Sequence, residues 1–140
     1  MSAGNTRAIR LEWLGEGRRF RGAGTEPVTP AVESDGDAQS GPSPMIALLL
    51  AAAGCTGSDV VSILKKMRVE LRRCVIDVRG ARREEEPRRY VAIHYRYVLS
   101  GDGLDRAKAE RAVKLSIEKY CSVLHTLAPD VTISYDIVVE

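Results

Sequence analysis

Ser43-Pro44-Met45-Ile46-Ala47-Leu48-Leu49-Leu50-Ala51-Ala52-Ala53-Gly54-Cys55-Thr56-Gly57-Ser58-Asp59 decides how this chain of 140 residues folds. Ser43 can cap a helix, and Pro44 suits its first position, where a missing N–H loses nothing. Met45 to Ala53 is apolar on every side, which predicts a helix buried all round. A small monomer encloses such a helix with difficulty and a dimer more easily. Gly54 and Gly57 predict a weakened helix at Cys55, resuming at helical spacing with Val60, Ile63, Leu64 and Met67. A thiol at such a restart meets bare backbone N–H groups and the positive end of the helix dipole, which favour thiolate. At about 100° per residue, Cys55 aligns with Asp59, Ser62 and Lys66, off the apolar stripe where a core cysteine belongs.

Upstream, residues 1–34 read as strands. Arg7 to Trp13 alternates, Gly15-Glu16-Gly17 turns, and Arg18 to Gly24 returns as a hairpin, with a short edge strand over Val28 to Val32. Residues 35–42 read as a loop rich in turn formers. Downstream the period changes to two: Cys74, Ile76 and Val78 share a strand face, Gly80 to Pro87 turns, and Tyr90 to Leu99 returns, ended by Ser100-Gly101-Asp102-Gly103. A helix follows from Leu104 to Leu127, striped by Ala109, Val113, Ile117, Tyr120, Leu124 and Leu127 and stopped by Pro129. Val131, Ile133, Tyr135, Ile137 and Val139 alternate in a final strand. The chain thus reads as one α+β domain, 1–140, with residues 43–140 arranged helix–hairpin–helix–strand.

A formal charge of +2 argues against a nucleic-acid partner, which needs net positive potential on one face. The Met45–Ala53 run is far short of the roughly 20 residues of a membrane span, so no membrane association is expected. Three cysteines and the lack of a signal-like N-terminus point to the cytoplasm, where thiols stay reduced and a disulfide is transient. Cys74 reads as a small buried hydrophobe. Cys121 lies at the edge of its helix stripe, beside Ile117 and in line with Lys114 and His125, so its sulfur can face a cleft. Cys121 and His125 at i, i+4, with His94 on a strand, carry no accompanying metal motif, and no metal or other cofactor is expected. No Gly-x-Ser-x-Gly elbow exists, and Gly15-Glu16-Gly17 lacks the helix of a dinucleotide loop. A thiol on a second helix can trap an oxidised first one as a disulfide, provided the Cα atoms come within roughly 4.4–6.8 Å.

Ser43-Pro44-Met45 leading into Ala53-Gly54-Cys55-Thr56-Gly57-Ser58-Asp59-Val60-Val61, then Ile63-Leu64-Lys65-Lys66-Met67 and Glu118-Lys119-Tyr120-Cys121-Ser122-Val123, resembles the OsmC/Ohr family of osmotically induced and organic hydroperoxide resistance proteins. The order of elements agrees over nearly the whole chain. The resemblance implies an intertwined homodimer whose antiparallel sheets enclose long central helices. It implies a stress-response peroxidase that reduces organic hydroperoxides, or hydrogen peroxide, at the expense of an external dithiol. Cys55 corresponds to the peroxide-attacking cysteine and Cys121 to the resolving one. The family's arginine comes from the N-terminal hairpin, where Arg19 is the best positional match, flanked by Arg18 and Arg21. Two positions depart from the pattern: Met45 stands where better-known branches carry an arginine-holding glutamate, and Tyr120-Cys121-Ser122-Val123 replaces Cys-Pro-Val-Ser. Met45 favours the alternative, a non-enzymatic ligand-binding or redox-sensing module on the same fold.

Overall fold

In the computed structural model, which describes residues 3–140, Ala8–Trp13 (β1), Arg19–Glu26 (β2) and Val32–Asp35 (β3) form an antiparallel sheet in that order. Gly15 and Gly17 take positive φ values of 84° and 54° in the turn between β1 and β2, a region that side chains disfavour. The edge strand expected over Val28–Val32 forms instead over Val32–Asp35. Prolines 27 and 30 have no N–H for a ladder, and only an isolated bridge, Thr25 to Val28, forms among them. The later register sets Glu33 opposite Arg21 and Asp35 opposite Arg19, and opposite charges across a ladder favour it. The loop after β3 is fixed by the buried Asp35 carboxylate. It accepts from the backbone N–H of Asp37 (2.8 Å), Gln39 (3.3 Å) and Ser40 (3.0 Å) and from the Ser40 hydroxyl (3.0 Å).

The chain divides into two units, one ending at Leu48 and the other running from Leu49 to Glu140. Helix α1, Pro44–Lys66, begins in the first and continues into the second. Ser43 caps it, its hydroxyl accepting from the Ile46 N–H at 3.3 Å. Contrary to expectation the helix is continuous through Cys55, so that thiol sits in mid-helix without the help of an N-terminus. Gly57 serves contact and not interruption: a Cβ there would lie 3.1 Å from Ile76 Cδ1 on the neighbouring sheet.

Burial all round is also not met within the single chain. The buried stripe is Ala52, Thr56, Val60 and Leu64, whereas Ile46, Leu50 and Val61 are 48%, 60% and 46% exposed. At 23 residues, and with an 18-residue stretch of mean hydropathy 1.8, α1 is long and apolar enough to cross a membrane, which the shorter Met45–Ala53 run did not suggest. Its stripe packs on a sheet, however, and its polar residues bond across to another helix, as in a core helix.

The second sheet orders Glu70–Arg82 (β4), Tyr90–Asp102 (β5) and Thr132–Val139 (β6). β4 and β5 form an antiparallel hairpin longer at both ends than its alternation implied, with bulges at Leu71/Arg73 and Ala81/Arg82. β6 runs parallel to β5, pairing Ala92 with Thr132 through Leu99 with Val139, so this sheet is mixed and not purely antiparallel. A parallel pair needs a crossover, which the intervening helices supply. On β5, Ile93, Tyr95, Tyr97 and Leu99 alternate inward and are essentially without exposed surface.

The single helix expected from Leu104 to Leu127 is broken into three pieces. α2, Arg106–Leu115, is capped by Asp105, whose carboxylate accepts from the Lys108 N–H. A π turn, Ser116–Tyr120, follows, and then α3, Ser122–Thr126. The Cys121 N–H bonds to the Ser116 carbonyl at 2.8 Å, and Cys121 itself is extended (φ −68°, ψ 99°). In a regular helix, positions five apart point about 140° away from each other. The wider turn lets Ser116 and Cys121 both meet α1.

Candidate active site

The second unit brings Cys55 and Cys121 together. Cys55 lies half-buried on α1, and Cys121, with no exposed surface, sits where the π turn ends. The two thiols act directly on each other, and the Cys55 side chain favours the proton on Cys121. Burial first, then this interaction and the nearby Cys55 and Asp59 charges, push the Cys121 thiol up to about 11, although the Leu124 backbone N–H works the other way. Cys121 was expected at a cleft edge; the extra residue of the π turn rotates it inward instead. Cys74 on β4 is half-buried, and burial raises its thiol too.

Around the sulfurs runs a buried polar network that the sequence reading missed. The Ser116 hydroxyl lies 2.9 Å from Thr56 Oγ1 and 2.8 Å from Asp59 Oδ2, and Thr56 Oγ1 meets the Tyr97 hydroxyl at 2.8 Å. The network ties α1 to the crossover on one side and to β5 on the other, within one residue of Cys55. Thr56 and Ser116 have no exposed surface. Each is a hydroxyl on an otherwise apolar stripe, which is the signal that could have found them. Tyr95 stacks beside Tyr97, ring centroids 6.0 Å apart and planes 20° from parallel.

Arg19 belongs to the first unit. Its Nε donates to Ser40 Oγ at 3.0 Å, Nη1 to Glu16 Oε2 at 3.2 Å, and Nη2 stands 3.7 Å from Glu33 Oε2. Arg21 bonds Glu33 at 2.9 Å, and Arg18 pairs with Asp37 and the Gly36 carbonyl. The Arg21 hydrogen bond and then the Arg19 charge hold the Glu33 carboxyl below its ordinary range. Among the described residues no cluster of three or more His, Cys, Asp or Glu is placed to hold a metal. His125 is exposed on α3, and His94 binds Ser134 (2.7 Å) and Asp136 (3.0 Å). That Ser–His–Asp trio lies on the outward face of β5 and β6, with His94 42% exposed.

Comparison with known proteins bears on this arrangement. The family described as OsmC-like protein matches residues 35–136. Protein YhfA of Escherichia coli K12 is 40% identical over 132 residues, covering 92% of this chain and 96% of that protein. A crystal structure of a hypothetical protein from Aquifex aeolicus VF5 is 34% identical and superposes with a TM-score of 0.83, covering 97% and 98% of the two chains. The organic hydroperoxide resistance protein OhrB of Bacillus subtilis shares the fold at 17% identity, with a TM-score of 0.57 and 96% and 98% covered.

Proposed function

This chain belongs to the OsmC-like protein family, and from that premise we propose that it is a cytoplasmic, homodimeric, thiol-dependent peroxidase acting on organic hydroperoxides. The observation that carries the reading is that the Cys55 and Cys121 thiols lie close enough to act on each other. Cys55 attacks one peroxide oxygen as the thiolate. An S–O bond forms as the O–O bond breaks, the sulfur is oxidised by two electrons, and the alkoxide gains a proton and leaves as alcohol. Cys121 then attacks the sulfenic sulfur. The S–O bond breaks, its oxygen departs as water with the Cys121 proton, and a disulfide remains for an external dithiol to reduce. Cys121 is already seated for that step, and its raised thiol keeps it protonated while Cys55 reacts first.

Arg19 is the residue to which the resemblance assigns the charge developing on sulfur and oxygen. Met45 leaves the family's glutamate position without a carboxylate, the observation that favours a non-catalytic binding or sensing module. Glu33 and Glu16 offset that loss, since both hold the Arg19 guanidinium. The proposed dimer is supported by apolar side chains left in the open: Ile9, Leu11 and Trp13 along β1, and Ile46 and Leu50 on α1.

The deciding experiment incubates pure reduced protein with cumene hydroperoxide, with and without dithiothreitol. Stoichiometric consumption without dithiol, catalytic consumption with it, and a mapped Cys55–Cys121 disulfide are expected. No consumption in either arm overturns the peroxidase reading.

A further inference from the structure

Among the described residues, the hydroxyl of Tyr95 is the buried side-chain polar atom with no hydrogen-bond partner. Tyr95 itself has no exposed surface. A buried O–H without an acceptor is destabilising, and interiors rarely keep one unless something else supplies the acceptor. Tyr95 and Tyr97 alternate on the same face of β5, and their rings lie nearly parallel. Tyr97 reaches α1 at Thr56, directly beside Cys55. The neighbouring phenol therefore reaches the same layer, and the Cys121 and Cys55 sulfurs both act on it electrostatically. A reduced sulfur is a weak acceptor, whereas an oxygen delivered to Cys55 is a strong one.

We propose that the Tyr95 hydroxyl is a catalytic hydrogen-bond donor that holds the oxygen Cys55 takes from the hydroperoxide, a role that rests on the peroxidase reading above. The bonds made and broken are those already given. Tyr95 transfers no proton; its O–H points at the transferred oxygen as negative charge develops there, and again as that oxygen leaves as water. Burial raises its phenol far above neutral pH, so it stays a donor throughout. Tyr97 cannot substitute, because its hydroxyl is engaged by Thr56.

The test uses the whole 140-residue chain carrying Cys121→Ser, so that oxidation stops at the Cys55 sulfenic acid, with and without Tyr95→Phe. Oxidation by cumene hydroperoxide is timed by dimedone trapping, and the reduced proteins are unfolded in urea. Tyr95→Phe is expected to slow oxidation roughly tenfold or more. The reduced fold should be no less stable, because the hydroxyl has no partner to lose. Equal rates overturn the proposal, as does a slower rate that comes with a less stable fold, which marks a structural role. A second readout needs no Tyr95 variant: the tyrosine ultraviolet band of Cys121→Ser should shift to the red as the sulfenic acid forms, and no shift overturns the proposal. If Cys55 with Tyr95 in place is never oxidised, the peroxidase reading falls and this role with it. If it is oxidised normally with or without the hydroxyl, only the role of Tyr95 falls.

Discussion

Thr56 joins three elements through one hydroxyl: α1, which carries it, Tyr97 on β5 and Ser116 at the crossover. Thr56→Val keeps the shape and removes both contacts, leaving two buried hydroxyls short of a partner. A loss of about 1–3 kcal/mol is expected in urea unfolding, with Thr56→Ser recovering most of it. Cys121 gives a prediction in pH. Its thiol is raised from 9.0 to about 11 in the folded protein, so the folded state holds that proton more tightly than the unfolded one. The resulting stability is fully present below pH 9 and is lost as pH rises through about 11. Reduced wild type should therefore lose stability over that window, and Cys121→Ser should lose less. Cys55 and Cys121 could be singled out from the sequence because a thiol advertises its chemistry wherever it lies. Thr56 and Ser116 left a fainter mark, a hydroxyl on an apolar stripe, and Tyr95 and Tyr97 none, since a hydroxyl gains its full meaning only once the facing side chain is known. The stripe chosen from the sequence ran through Ile63 and Met67, and placed Thr56 nowhere in particular.

The π turn gives a sharper test than any point substitution. Inserting one alanine after the exposed Glu118 should advance the chain by one position and swing Cys121 by about 100° away from Cys55. Circular dichroism should stay near wild type, while peptide mapping after peroxide should show little Cys55–Cys121 disulfide. A full yield of disulfide would mean the turn has no part in placing the sulfur. The Asp35 loop responds to acid. Backbone and hydroxyl donors at Ser40, with the backbone N–H of Asp37, depress its carboxyl from 3.8 to about 2. That contribution is complete above pH 3.8 and disappears as pH falls through about 2, so Asp35→Asn should flatten the acid limb of the stability curve. Periods of 2 and 3.6 made most strands and α1 readable from the sequence. The shifted edge strand, the parallel β5–β6 pair and the broken second helix were not, because each depends on a partner distant in the chain: Arg21 for Glu33, β5 for β6, and α1 for Ser116 and Cys121.

For the whole molecule, the proposed dimer has to account for apolar surface that one chain leaves in water. Ile46 and Leu50 on α1 are exposed, and the first unit separately carries a groove of about 540 Å³ lined by Ile9, Leu11, Pro27 and Val32 among others. At about 25 cal/mol per Å², covering a few hundred Å² of such surface outweighs most single interactions in the fold. Sedimentation of wild type at micromolar concentration should show a dimer, and Leu50→Glu should dissociate or unfold it; a stable wild-type monomer would sink the oligomer. The contact between Cys55 and Cys121 reaches further than the site. These sulfurs sit on α1 and on the crossover, with β4, β5 and α2 strung between them in sequence. A bond there closes a long loop, which in the chain-entropy picture stabilises the fold by about 4 kcal/mol. By the thermodynamic cycle, the same quantity makes the folded pair harder to reduce than the unfolded pair, by roughly 90 mV. Redox potential and melting temperature are then one property measured in two ways. A substitution that loosens the fold only in its oxidised form, anywhere in the chain, should make the disulfide a better oxidant.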